Sequence, residues 1–202
     1  MDTILKVRVD FFEEILGTAS ANPDIHAEYI ASKAPDAVSR EEEVEAVGAE
    51  EVFQKGMTVF PRDKDGNPFA WDYQWKGFFK DAAGALRKIP GTESGKIKAY
   101  KKEIDGLIFP EPRKILFQFE DEMGICQRPL RGQTAQGERV ALASSESIPE
   151  GAYMVFEIRM LYKAHKAWVL EMLKYGRLRG FGQWRNSGKG RFTFTVLEER
   201  EE

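Results

Sequence analysis

What most restricts the folds open to this chain is the order in which its two hydrophobic periods alternate. Residues 3–12, TILKVRVDFF, set Ile4, Val7, Val9 and Phe11 or Phe12 at near-alternate positions, the period of a half-buried strand. The next strongly patterned stretch, DYQWKGFFKDAAGALRK at 72–88, has helical spacing. Trp75, Phe79, Ala82, Leu86 and, just beyond, Ile89 recur on one face, and Asp72 is placed to cap it. RKILFQFE at 113–120 and AYMVFEIRML at 152–161 alternate again. YKAHKAWVLEMLKYG at 162–176 returns to helical spacing through Ala164, Trp168 and Met172 or Leu173. RFTFTVL at 191–197 closes as a strand.

The resulting order, β-α-β-β-α-β, predicts an α+β domain of the ferredoxin-like, RRM-type plan: a four-stranded antiparallel sheet with two helices on one face. Two stretches interrupt that plan and read as insertions within a single domain over 1–202. Residues 23–55, after the first strand, have helical character at 23–35 and 40–55, and Ser39 with Glu42 forms a capping-box pattern. Residues 121–150, between the second and third strands, hold short strands near ICQRPL and ERVALA around RGQTAQG, a hairpin insertion. DKDGN at 63–67 faintly matches a calcium loop, but its glycine falls too early, and Asp-Gly reads better as a hairpin turn. PGTESGKIKAYKKEIDG, from Pro90, reads as a loop and a short helix.

Charge is distributed unevenly. The formal net charge is −3, yet residues 1–56 hold 13 acidic and 5 basic residues, whereas 57–197 hold 24 basic and 16 acidic. Such asymmetry points to a polyanion-facing surface, against the plainer reading of solvated charge of both signs. One cysteine, Cys126, excludes an internal disulfide framework and fits a reducing, cytoplasmic setting. The alternating start has no signal-peptide core, and the longest uncharged run, Ile15 to Pro23, is far too short to span a membrane.

The densest chemical signal is RLRGFGQWRNSGKGRFTF at 177–194. It is not a nucleotide phosphate loop. Gly182 and Gly188 are one residue too far apart for that pattern, Gly190 stands where a Ser or Thr is needed, and a strand follows instead of a helix. GTESGK at 91–96 is too short and has the same defect. What remains is a basic, flexible loop: from Met172 to Leu197 there is no acidic residue. Gly180, Gly182, Gly188 and Gly190 let backbone amides approach a polyanion, and Trp184 beside Arg185 can stack a base. The alternative is a basic surface loop with Trp184 tucked into the core. Lys76, Lys80 and Arg87 share a second face of the first helix, where Gly77 and Gly84 point to close packing or close ligand approach.

Catalytic groupings are scarce. His26 and His165 fall in different helices, and His165 is expected to be solvated. One cysteine and two separated histidines do not make a zinc site, and no cofactor or metal is expected. Asp24, or His26, acting in a metal-independent ribonuclease is the weakest reading.

Two of these stretches also carry a family resemblance. RDKDGNPFAWDYQWKGFFKDAAGALRK at 62–88, with its acidic-polar turn and Lys-Gly-containing helix, resembles the RAMP superfamily, and so does GFGQWRNSGKGRFTF at 180–194. These RRM-like proteins are the backbone and processing subunits of CRISPR effector complexes. The resemblance covers about half the chain. It implies a non-catalytic binder of single-stranded nucleic acid, RNA more than DNA, that works with CRISPR effector subunits or associates with itself along the strand. Lys76 and Lys80, with Arg87 on the same helix, would flank the RNA path. Arg179, Gly180, Gly182, Trp184, Arg185, Asn186, Gly188, Lys189 and Arg191 would form the phosphate-contacting loop. Arg128 and Arg131 would belong to a thumb-like hairpin. The sequence departs from the family at Asp72 and Gln74, where serines are usual, and has no equivalent of the processing histidine. It is also similar to uncharacterised phage and prophage proteins. That leaves a second function open: a phage interaction protein that mimics or inhibits a CRISPR subunit through its acidic region, 1–56.

Overall fold

The computed structural model describes residues 2–21, 57–134 and 137–202. The helices expected at 23–35 and 40–55, and with them the acidic insertion 23–55, Asp24 and His26, lie outside the described residues.

Strand β1 (Thr3–Phe11) is followed by three short strands, β2 (Ile15–Leu16), β3 (Ala19–Ser20) and β4 (Thr58–Val59). β5 (Phe69–Trp71) runs directly into helix α1 (Asp72–Leu86), and α2 (Tyr100–Leu107) runs into β6 (Ile108–Glu111). β7 (Lys114–Leu116) precedes a long hairpin of β8 (Gly124–Thr134) and β9 (Gly137–Ile148). β10 (Tyr153–Met160), α3 (His165–Arg179) and β11 (Phe192–Glu201) complete the chain.

The central sheet has the spatial order β11-β1-β10-β6, with every neighbouring pair antiparallel. By chain order these are the fourth, first, third and second strands, as the ferredoxin-like plan requires. Alternation decides which face is covered. Leu5, Val7, Val9 and Phe11 of β1 are buried in one cluster with Met154, Phe156, Ile158 and Met160 of β10 and the inner faces of α1 and α3. Lys6, Arg8 and Asp10 point to the opposite face, where Arg8 pairs with Asp10 at 2.7 Å and Arg200 grips both oxygens of Glu157 at 2.8 and 2.7 Å. β11 continues through the acidic tail to Glu201, and beyond it residues Asp2 and Glu202 exchange backbone hydrogen bonds of 2.7 and 3.0 Å.

Several elements differ from the sequence expectation. The second core strand is Ile108–Glu111 rather than 113–120. Pro110 and Pro112 obscure it, but β6 lies at the edge of the sheet, where a missing N–H costs no ladder bond. Lys114–Leu116 pairs instead with β5 in a separate two-stranded ribbon. The inserted hairpin is longer than ICQRPL and ERVALA, pairing from Gly124↔Ser147 to Thr134↔Gly137. The DKDGN turn forms, with Gly66 at φ 83° and the Asp63 N–H donating to the Asn67 carbonyl at 3.0 Å. Beyond it, however, Thr58–Val59 joins β3 and β9 while Phe69–Trp71 joins β7. Asp72 does not cap α1; there the Gln74 carboxamide accepts the Trp71 N–H at 2.8 Å. Phe78 and Ala83 join Trp75, Phe79 and Ala82 on the buried face, while Ile89 is 53% exposed.

His165 is buried rather than solvated, with its ring 4.3 Å from that of Trp168. Burial pushes its pKa below the ordinary 6.5, and Glu103, 3.7 Å away, only partly offsets this. Its contribution to stability is therefore present above about pH 6.5 and lost as pH falls through that value toward the depressed folded pKa. In chemical denaturation from neutral to mildly acidic pH, His165→Leu should flatten this limb of the stability curve. Gly176 in α3 offers a separate test, because a Cβ there would lie 2.1 Å from the Phe192 ring. Alanine gains about 1 kcal/mol of helix propensity, but overpacking a buried ring costs about 1–3 kcal/mol. Gly176→Ala is accordingly expected to lower the melting temperature.

Candidate nucleic-acid interface

The glycine-rich stretch is a folded clasp rather than a flexible loop. α3 stops where Gly180 takes φ 79°, a conformation side chains disfavour. The chain then doubles back on itself. The Phe181 N–H donates to the Gly190 carbonyl at 2.8 Å, and the Gly190 N–H donates to the Glu14 carbonyl at 2.8 Å. Phe181 is buried and stacks on Trp75 of α1, with centroids 4.5 Å apart and planes 20° from parallel. A Cβ on Gly190 would sit 1.9 Å from the Phe181 carbonyl oxygen, so only glycine permits this closure. Between these anchors lies a single turn, Arg185–Ser187, introduced by Trp184 at φ 52° and ended by Gly188. Gly182, also at positive φ, borders the cleft described below.

The loop's cations are held from within the molecule. Arg179 Nε and Arg185 Nη1 both donate to Oδ2 of Asp81 on α1 at 2.9 Å, and Arg179 also reaches the Asn186 side-chain oxygen at 2.6 Å. Lys189 pairs with Glu14, which raises its pKa through that hydrogen bond despite some burial. Arg191 donates to Glu13 at 2.7 Å and to the Gly188 carbonyl at 3.1 Å. Arg185 and Lys189, which a flexible basic loop would leave exposed, have side chains only 28% and 22% exposed. Net positive composition in the loop is thus largely cancelled by Glu13 and Glu14, beyond β1, and by Asp81. None of these acids could be found by local spacing, since their partners lie 98 to 178 residues away.

Trp184 remains 39% exposed, neither free nor tucked into the core. The Arg128 guanidinium lies 5.2 Å from its ring centroid. Arg128 is itself buried, donating to Ser145 Oγ at 3.0 Å and to the Gln183 side-chain oxygen at 2.9 Å. It therefore couples the base of the β8–β9 hairpin to the clasp. Arg131 lies farther along the hairpin, opposite Val140. On α1, Lys76 donates to the Asp105 carbonyl at 2.9 Å and lies 4.2 Å over the Phe109 ring, while Lys80 pairs with the Asp105 carboxylate at 2.8 Å. Arg87 lies 5.1 Å over the Tyr100 ring, away from the loop residues. The expected residues thus divide into a cluster around Trp184 and a separate α1–α2 group.

Next to the clasp is an open cleft of about 270 Å³, bordered by Thr18, Tyr73, Gln74, Gly77, Phe78 and Arg185. A Cβ on Gly77 would meet nothing within 4 Å, so packing inside the described structure does not account for this helical glycine. Among the described residues, no group of three or more His, Cys, Asp or Glu is disposed to hold a metal, and no helix is long and apolar enough to cross a membrane.

No family model matches the chain, and no curated protein does either. Among solved structures, it is similar to a chain in the cryo-EM structure of the Type III-B Cmr-beta complex bound to cognate target RNA. The match has a TM-score of 0.55 at 13% identity and covers 98% of this chain. This chain spans 60% of the length of that one. The likeness is one of fold.

Asp81 is the shared anchor of the clasp. Its two ion pairs are partly exposed and together contribute about 0.5–2 kcal/mol. Asp81→Asn should therefore lower global stability only slightly, while amide hydrogen exchange across 183–188 accelerates markedly; unchanged exchange there would show that the loop is held without it.

Proposed function

We propose that this chain is a non-catalytic binder of single-stranded nucleic acid, RNA above all, on a RAMP-like domain that works in the setting of a CRISPR effector complex. The observation that carries this reading is the junction of Arg128, Gln183 and Trp184. It brings the hairpin inserted between the second and third core strands against the glycine-rich turn that precedes the last. A half-exposed indole is held there in a fixed orientation beside an aromatic-edged cleft. Such a platform accepts any base by stacking and reads little sequence. The fold likeness to a chain from an RNA-bound Cmr complex supports the same reading.

Because Asp81, Glu13 and Glu14 already satisfy most of the loop's cations, stacking carries more of the affinity, and phosphate attraction less, than composition alone implies. Fluorescence anisotropy with single-stranded RNA at graded salt tests this. Trp184→Ala should weaken binding about tenfold, the loss of one stacked base, while the lost Arg128 contact lowers thermal stability only modestly. Unaltered affinity in that variant, or no saturable binding by the wild-type chain at low salt, would remove the reading.

A further inference from the structure

Between α1 and α2 lies a second, shallow groove of about 410 Å³. Lys80, Gly84 and Ala85 of α1 line it together with Lys88, just beyond that helix, and Tyr100 and Lys101 of α2. Its electrostatics are the reverse of the loop's. Asp81 also borders it, but that carboxylate accepts from Arg179 and Arg185, and Lys80 is engaged by Asp105. Lys88 and Lys101 have no carboxylate partner among the described residues. Both are exposed, as are Lys98, on the connection before α2, and Lys102, within α2.

Two features argue against plain surface solvation. Lys101 stands in the first turn of α2, where the helix dipole disfavours a cation; the one acid of that turn, Glu103, lies 3.7 Å from His165 Nε2. The groove also has a shaped floor. Gly84 admits the Tyr100 hydroxyl so closely that a Cβ would lie 3.1 Å from it, and the Arg87 guanidinium covers the Tyr100 ring at 5.1 Å. Two ammonium groups with no carboxylate partner among the described residues, and a phenol bordering the same groove, match the donors that a phosphate group requires.

We propose that the α1–α2 groove is a phosphate-binding site, held by Lys88 and Lys101 with Tyr100 as a neutral donor. The phosphate comes either from the backbone of a polynucleotide or from a free nucleotide. The site does not depend on stacking at Trp184. Titration of the full chain with pyrophosphate, followed by backbone amide chemical shifts, is expected to give saturable shifts at 84–88 and 100–102. Lys88→Gln combined with Lys101→Gln should weaken that binding about tenfold while leaving thermal unfolding unchanged. Absence of saturable shifts at those residues, or shifts indifferent to the double substitution, overturns the proposal.

Parallel titrations with single-stranded RNA and with ATP separate the sources. RNA affinity lost in the double variant assigns the site to a polynucleotide backbone; ATP affinity lost with RNA affinity intact assigns it to a nucleotide. Pyrophosphate binding with neither RNA nor ATP affected identifies an adventitious anion only and also overturns the proposal. A wild-type chain that binds no RNA ends the single-stranded-binding reading, yet leaves the pyrophosphate and ATP arms decisive for this groove.

Discussion

The indole of Trp75 is the point on which the rest of the molecule closes. It projects from the first turn of α1 and is fully buried, with Phe156 of β10 at 4.6 Å, Phe181 of the clasp at 4.5 Å and Phe192 of β11 at 5.6 Å. Phe78, on its own helix, completes the cluster at 5.7 Å. Removing a residue of this kind from a core costs about 3–5 kcal/mol, comparable to the whole margin of many domains. One side chain therefore fixes the first helix to the sheet and holds the glycine-rich turn in place. The turn owes its shape to the hydrophobic core as much as to its glycines.

Around that core, charge in space differs from charge in sequence. A window from Met172 to Leu197 without a single acid looks like an open positive surface, yet four of its cations are met by three carboxylates from distant segments. The groove between α1 and α2 shows the converse. Its lysines attract no attention in a stretch already rich in them, but among the described residues Lys88 and Lys101 meet no carboxylate. Partial neutralisation shortens the reach of a field without abolishing local contacts, so steering and grip are assigned to different parts of one surface.

The strand and helix order was legible because each segment obeys one period for its whole length: Val7, Val9 and Phe11 alternate, and Trp75, Phe79 and Ala82 recur at helical spacing. The second core strand was not, because Pro110 is tolerable within it only at a sheet edge, and edge position is a tertiary fact. The burial of His165 is hidden in the sequence for a similar reason. Polar neighbours in sequence, Lys163 and Lys166, reach across to Glu201 and Glu199 of β11 and leave the imidazole beneath them. The glycine-rich turn could be placed between the last helix and strand by order alone. That it is clasped, paired and tied to the hairpin through Arg128 depends on partners that no local pattern marks.

Residues 2 and 202 hydrogen-bond to each other at the end of the central sheet where β1 begins, whereas Phe11 and Phe192 adjoin the clasp at the opposite end. About nine strand residues at roughly 3.4 Å each separate the two ends, a distance near 30 Å. A small probe attached at residue 2 or at residue 202 therefore leaves from one shared corner, at the opposite end of the sheet from the clasp. Two such probes would sit side by side and report on each other, with neither occupying the clasp or the cleft.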